Sequence, residues 1–149
     1  MYWFTSPDYL ILSHFNFREN KSLRSIVLRT PFPSLPRMAM TSLWMSLSTI
    51  PSPTLSEFVL ELVGRAPAGF TRPPNNVNPW GNWDEIDALL NGFLEWCPNL
   101  KLVIRTGKLR DCDGYQAQAM KRFPLMAGRD RIRFETSIAI DKYQLFSWY

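Results

Sequence analysis

The side chains of this sequence that could do chemistry are few, and their spacing does not assemble a reaction. There is one histidine, His14, on a strand candidate near the N-terminus. A lone imidazole in such a place is structural or simply exposed. Cys97 and Cys112 are the two cysteines. Cys112 lies between Asp111 and Asp113, whose negative charges would raise its pKa rather than activate a thiolate. Cys97 falls on the apolar stripe of a helix and reads as a small buried hydrophobe. Asp84, Glu85, Asp87 and Glu95 are carboxylates on one predicted helix, where they read as a solvated face rather than a metal or acid/base set. No serine sits in a G-x-S-x-G turn, no G-x-x-x-x-G-K-[ST] loop is present, and no metal-ligand spacing or disulfide framework is visible. These residues predict no catalysis, no cofactor and no metal.

What remains is charge. The chain has 149 residues and a formal net charge of +4, unevenly placed. Lys101 to Arg133 holds nine Lys/Arg against three Asp, while Glu57 to Glu95 holds six acids against two Arg. A polarised, solvated surface explains this, and so does a site for an acidic partner. Arg105, Lys108, Arg110, Lys121, Arg122, Arg129, Arg131 and Arg133 make a basic third, and Tyr115 and Phe123 could stack bases. Those aromatics, however, fall on an apolar stripe, and no nucleic-acid-binding module is recognisable.

The elements that would position these charges are legible around Asn82–Thr106. Ile86, Leu89, Leu90, Phe93 and Cys97 recur at helical spacing, with Glu85, Asp87, Asn91 and Glu95 pointing away. Asn82 with Glu85 suits a capping box, and Asp84 is the competing cap. Pro98 ends the helix near Trp96 or Cys97. Leu100–Thr106 then alternates as a strand, Leu102 and Ile104 against Val103 and Arg105.

Similar units precede and follow. Tyr9–Phe17 is a strand candidate, and Leu23–Thr30 (LRSIVLRT) is a stronger one. The short connection between them predicts an N-terminal hairpin. Met40, Leu43, Trp44, Leu47 and Ile50 make a helical stripe stopped by Pro51. Leu55–Val63 is a strand, and residues 64–81 are a Gly/Pro/Asn-rich insertion. Asp113 with Gln116 resembles a capping box. Tyr115, Ala119, Met120 and Phe123 form a stripe that Pro124 ends or kinks, and Arg131–Thr136 (RIRFET) is the last strand.

Four of these strands read as one element repeated. Aligned at their last two residues, Ile26, Phe58, Leu102 and Ile132 correspond, at steps of 32, 44 and 30 residues. A helix lies in each interval. The pattern predicts an α/β fold, a solenoid of βα units with a parallel sheet and helices on one face. A doubly wound sheet is the alternative, but it would want both strand faces apolar, and these strands alternate. The face away from the helices then carries Arg29, Glu61, Arg105 and Glu135 in one row and Val27, Val59, Val103 and Arg133 in the next. Cross-strand charge pairing accounts for the first row. A solvent-facing docking surface with a valine floor accounts for both. The candidate protein-binding residues are therefore Arg29, Glu61, Val103, Arg105, Arg133 and Glu135.

The phrase CPNLKLVIRT after an amphipathic helix resembles the leucine-rich-repeat segment in which "CPNL" joins helix to strand. WDEIDALL, LEWCPNL, LRSIVLR and PSPTLSEFVLEL are similar to the C-terminal repeat region of fungal, especially basidiomycete, F-box and leucine-rich-repeat-like proteins. The resemblance covers roughly Leu23–Thr136. It extends to the repeats and not to an F-box. It implies a single leucine-rich-repeat-like domain over residues 1–149, with a repeat core of about 23–136. Such repeats bind protein partners, and in that family they select substrates for a ubiquitin-ligase adaptor. A non-catalytic interaction module for an unknown protein partner is the expectation, with a basic surface for nucleic acid or another polyanion as the alternative. The aromatic tails Met1–Phe17 and Ser137–Tyr149 either cap such a solenoid or leave its ends bare, in which case the protein self-associates. MYWFTSPDYLIL lacks a basic n-region and carries Asp8, and no apolar run is long enough to span a bilayer. With so few cysteines, an intracellular location, cytoplasmic or nuclear, is expected.

Overall fold

The computed structural model describes residues 2–4, 17–30, 37–51, 53–62, 83–107 and 112–136. Along them run β1 (Tyr2–Phe4), β2 (Ser25–Thr30), α1 (Arg37–Leu47), β3 (Glu57–Leu62) and α2 (Asp84–Phe93). β4 (Lys101–Thr106), α3 (Cys112–Arg122), α4 (Pro124–Gly128) and β5 (Ile132–Thr136) follow. The fold is α/β. The five strands form one sheet in chain order, β1-β2-β3-β4-β5, and every pair is parallel. Crossovers of one hand between successive neighbours put their helices on one face. The packing agrees with this. Ile26, Leu28, Phe58, Leu60, Leu102 and Ile104 share a core with Leu43, Leu47, Ile86, Leu90, Phe93, Phe123 and Met126 of the helices. Val27, Val59 and Val103 form a separate cluster that no helix residue joins.

The predicted segments at Leu23, Leu55, Leu100 and Arg131 contain β2, β3, β4 and β5, and Ile26, Phe58, Leu102 and Ile132 stand in register. The N-terminal hairpin does not form with β2. Both edges of that strand are taken, by β1 and β3, and each partner runs parallel to it. The other half of the expected hairpin, residues 9–16, lies outside the described residues, as do His14, the 64–81 insertion, Lys108, Arg110 and the 137–149 tail.

Helix detail departs from the periodicity in physically simple ways. Leu43 and Leu47 of α1, and Ile50 just after it, are buried as expected, but Trp44 is exposed. Ser42 and Ser46 are buried in its place. Small side chains on that side let the helix lie close to its neighbours, and the large indole is turned out. In α2, the N-cap is Trp83, with no side-chain cap hydrogen bond. Asp84 is already helical, and Asn82 is outside the described residues. Trp83 is fully buried, its ring 5.4 Å from that of Phe123. The α-helix stops at Phe93, earlier than Pro98 requires, because Leu94, Glu95 and Trp96 donate to carbonyls three residues back and tighten the last turn. α3 begins at Cys112, so Asp113 is inside it rather than its cap. Of its stripe, Ala119 and Phe123 are buried and Met120 is exposed.

Pro124 starts a helix rather than merely ending one. It occupies the first turn of α4, where its missing N–H costs nothing. The residue before it, Phe123, has no side chain able to cap, so the cap comes from another helix. The Asp87 carboxylate on α2 accepts the N–H of Leu125 at 2.8 Å and of Met126 at 3.1 Å. Asp87 is therefore buried, not part of a solvated face. Burial raises its pKa, the two backbone N–H groups pull it down, and Asp84 adds a further push upward. At its other end α4 closes by a Schellman arrangement. Asp130 N–H donates to Ala127 C=O and Arg131 N–H to Met126 C=O, with Asp130 left-handed at φ 55°. This turn delivers the chain into β5.

Two tests follow. Leu90 is fully buried between helix and sheet, so Leu90→Asp should abolish cooperative thermal unfolding, because the core has no partner for a charge. Asp87→Ala leaves two backbone donors without an acceptor and should cost about 2 kcal/mol in urea denaturation. The pH dependence has a definite sign. A carboxyl whose folded pKa is raised contributes stability that is complete below its unfolded pKa and is lost as pH rises through the folded value. Between those two values the wild-type protein should lose stability with rising pH, and Asp87→Asn should flatten that slope.

Candidate functional site

The sheet face opposite the helices gathers the residues singled out from the sequence. Register places Arg29, Glu61, Arg105 and Glu135 side by side on four consecutive strands, with Val27, Val59, Val103 and Arg133 in the next row. Strand alternation does this without further help. Ile26, Phe58 and Leu102 face the helices, so the odd-numbered residues face away.

The charges form one continuous chain of alternating sign. Arg29 Nε donates to Glu61 Oε2. Arg105 Nη1 reaches Glu61 Oε1 at 3.2 Å, and its Nε and Nη2 hold Glu135 Oε2 at 3.0 and 2.9 Å. Arg133 Nη2 bridges Glu135 Oε1 and Glu57 Oε1, each at 2.8 Å. The chain thus runs from β2 to β5, turns on Glu135 and Arg133, and returns to β3. Burial works against the charged form of Arg105, but its hydrogen bonds to Glu135 and Glu61 outweigh that and hold its pKa above the ordinary value.

The expected valine floor is not open to solvent. Val103 is 0% exposed, Val59 1% and Val27 9%. Arg133 and Glu57 are separated by β4, so their ion pair bridges that strand, a span of about 10 Å for two strand spacings. β3 and β4 are therefore buried on both faces, as central parallel strands usually are. The Glu61 side chain is only 6% exposed, whereas Arg133 is 44% exposed, and Glu57, Glu135 and Arg105 lie between. The part a partner could touch is thus the β3–β5 arm of the chain and not Val103.

Glu57 is the member that sequence reasoning missed. The signal was present, since Glu57 shares its face with Val59 and Glu61. Its partner is neither its register neighbour nor on the next strand, and no row-by-row reading finds a diagonal bond. Outside this face the chemistry is sparse. Cys97 is buried, and burial raises its thiol pKa, with the Leu55 N–H acting the other way. Among the described residues no three His, Cys, Asp or Glu side chains come together as a metal site, and no helix is long and apolar enough to cross a membrane.

Comparison with models of known protein families, with curated proteins and with solved structures found no match to this chain.

The chain of charges has an energetic signature. Glu61→Gln leaves Arg29 and Arg105 short of an anion in a buried setting and should destabilise by about 3 kcal/mol. The triple replacement Arg29→Met, Glu61→Leu, Arg105→Met should recover most of that loss, since apolar side chains of similar volume replace buried ion pairs with little penalty. Urea denaturation of the single and triple variants reads both.

Proposed function

We propose that this chain is a non-catalytic protein-interaction module, a short leucine-rich-repeat-like solenoid of βα units, whose partner docks on the sheet face away from the helices. The observation that supports the reading is the half-exposed arm of alternating charge at Arg105, Glu135, Arg133 and Glu57. Its arginines and Glu135 each hold two partners, so little side-chain entropy is left to lose on docking. A fixed pattern of both signs on a rigid sheet favours discrimination between partners over raw affinity. Val103 supports the arm from beneath and does not touch the partner. In the family that the repeats resemble, the same face would select a substrate for a ubiquitin-ligase adaptor.

The test removes the exposed arm while keeping the face neutral. Glu57→Gln with Arg133→Gln deletes one cation and one anion and leaves the Arg29–Glu61–Arg105–Glu135 segment in place. Thermal melting confirms that the variant is folded. Captured from its native cell, the intact protein should bring down partners that are lost with this pair and kept with Lys121→Gln on the exposed surface of α3. An identical partner set for all three proteins would remove the docking reading. A ubiquitin-ligase adaptor among the face-dependent partners supports the ligase role, and its absence removes that role alone. If the bound material is nucleic acid, its retention should fall steeply with salt, and the polyanion reading replaces this one.

A further inference from the structure

The ion-pair chain consumes three arginines and three glutamates and is electrically neutral. Among the described strand residues and the residue leading into β5, two cations of the same face are left over. They are Lys101, the first residue of β4, and Arg131, the residue before β5. The two lie on adjacent strands, because Leu102 N–H donates to Arg131 C=O at 2.9 Å. Alternation puts Arg131 on the face of Arg133, and Lys101 on the face of Val103. Lys101 has Glu57 as its register neighbour on β3, but that carboxylate is bonded to Arg133 instead. Asp130, next to Arg131 in the chain, takes no part in an ion pair with either cation. Among the described residues Lys101 and Arg131 have no ion-pair partner, and Lys101 is exposed. Like charges on neighbouring strands repel, so an anion placed between them relieves a cost that the folded protein otherwise carries.

We infer that Lys101 and Arg131 form a two-pronged site for the carboxylate side chains of an acidic protein segment. The inference rests on the docking face proposed above and names the chemistry of its partner. The surroundings favour a peptide over a nucleic acid. A phosphate backbone is gripped by many cations in succession, whereas this positive corner is two residues wide and adjoins a neutral chain in which Arg133 is already held by Glu57 and Glu135. The next phosphates of a strand would have to compete with those carboxylates for Arg133. A protein segment that presents acid to Lys101 and Arg131 alone, and neutral residues beyond them, needs no such exchange.

The experiment uses the full chain, a fluorescent oligoglutamate and an oligothymidine of equal charge, and reads anisotropy at fixed salt. Lys101→Gln with Arg131→Gln should weaken oligoglutamate binding about tenfold or more, as the loss of two charge-assisted hydrogen bonds requires. Arg24→Gln with Lys121→Gln removes the same net charge elsewhere and should leave it unchanged. The site is overturned if both double variants lose affinity equally, if neither does, or if oligothymidine binds more tightly than oligoglutamate and depends on the same two residues. The docking face is judged separately. Partners captured by the intact protein and lost with Glu57→Gln/Arg133→Gln but kept with Lys101→Gln/Arg131→Gln retain the face and overturn this site. Oligoglutamate binding that needs Lys101 and Arg131, with capture indifferent to Glu57 and Arg133, supports the site and overturns the proposed face.

Discussion

A carboxylate buried in the middle of a sheet is costly unless cations are within reach, and Glu61 keeps two, on the strands to either side. This constraint does more than stabilise. Apolar alternation excludes a slip of one residue between neighbouring strands, because that would turn the core face to the outside. It does not exclude a slip of two, which keeps every face. A slip of two would set Glu61 beside Val27 or Val103 and strand a buried charge. Arg29 and Arg105 therefore distinguish the true register from its nearest competitor, and three strands are pinned by one side chain. This is the service that buried ion pairs render best, since their net contribution to stability is modest.

The helix side is tied to the sheet by a different polar device. Asp87 reaches from α2 to the first turn of α4, and the far end of α4 passes directly into β5 through the Met126 carbonyl and the Arg131 amide. α2, α4 and β5 are thereby linked into one rigid path. The corner of Lys101 and Arg131 sits at the end of that path. Its geometry is set by a helix cap on the opposite side of the sheet.

How much of this was legible depended on the range of the interaction. Strand positions, parallel pairing and the row of Arg29, Glu61, Arg105 and Glu135 followed from alternation and repeat length, which are local in sequence. The burial of Val103 did not, because a row of small apolar residues reads alike whether open or covered. Asp87 read as solvated because nothing in α2 announces that a second helix needs a cap. The clue lay in Pro124 preceded by Phe123, a helix start with no capping side chain of its own. Trp44 and Ser46 fell on the wrong sides of the expected stripe because hydropathy ranks bulk above fit. The hairpin failed for want of an edge: five loop residues permit it, but a strand already paired on both sides has no ladder to offer.

Charged residues from β2, β3, β4 and β5 meet in register although the chain takes 32, 44 and 30 residues to travel between them. In a hairpin, loop length and register are coupled, and an added residue rewrites the pairing. In a parallel crossover they are independent. Lengthening the β2–β3 step to that of β3–β4 adds only about 0.3 kcal/mol of closure entropy, from the logarithm of the ratio. The β3–β4 crossing is thus a place where sequence can accumulate almost without thermodynamic consequence. The surface pattern and the length of chain that connects it are free to evolve separately.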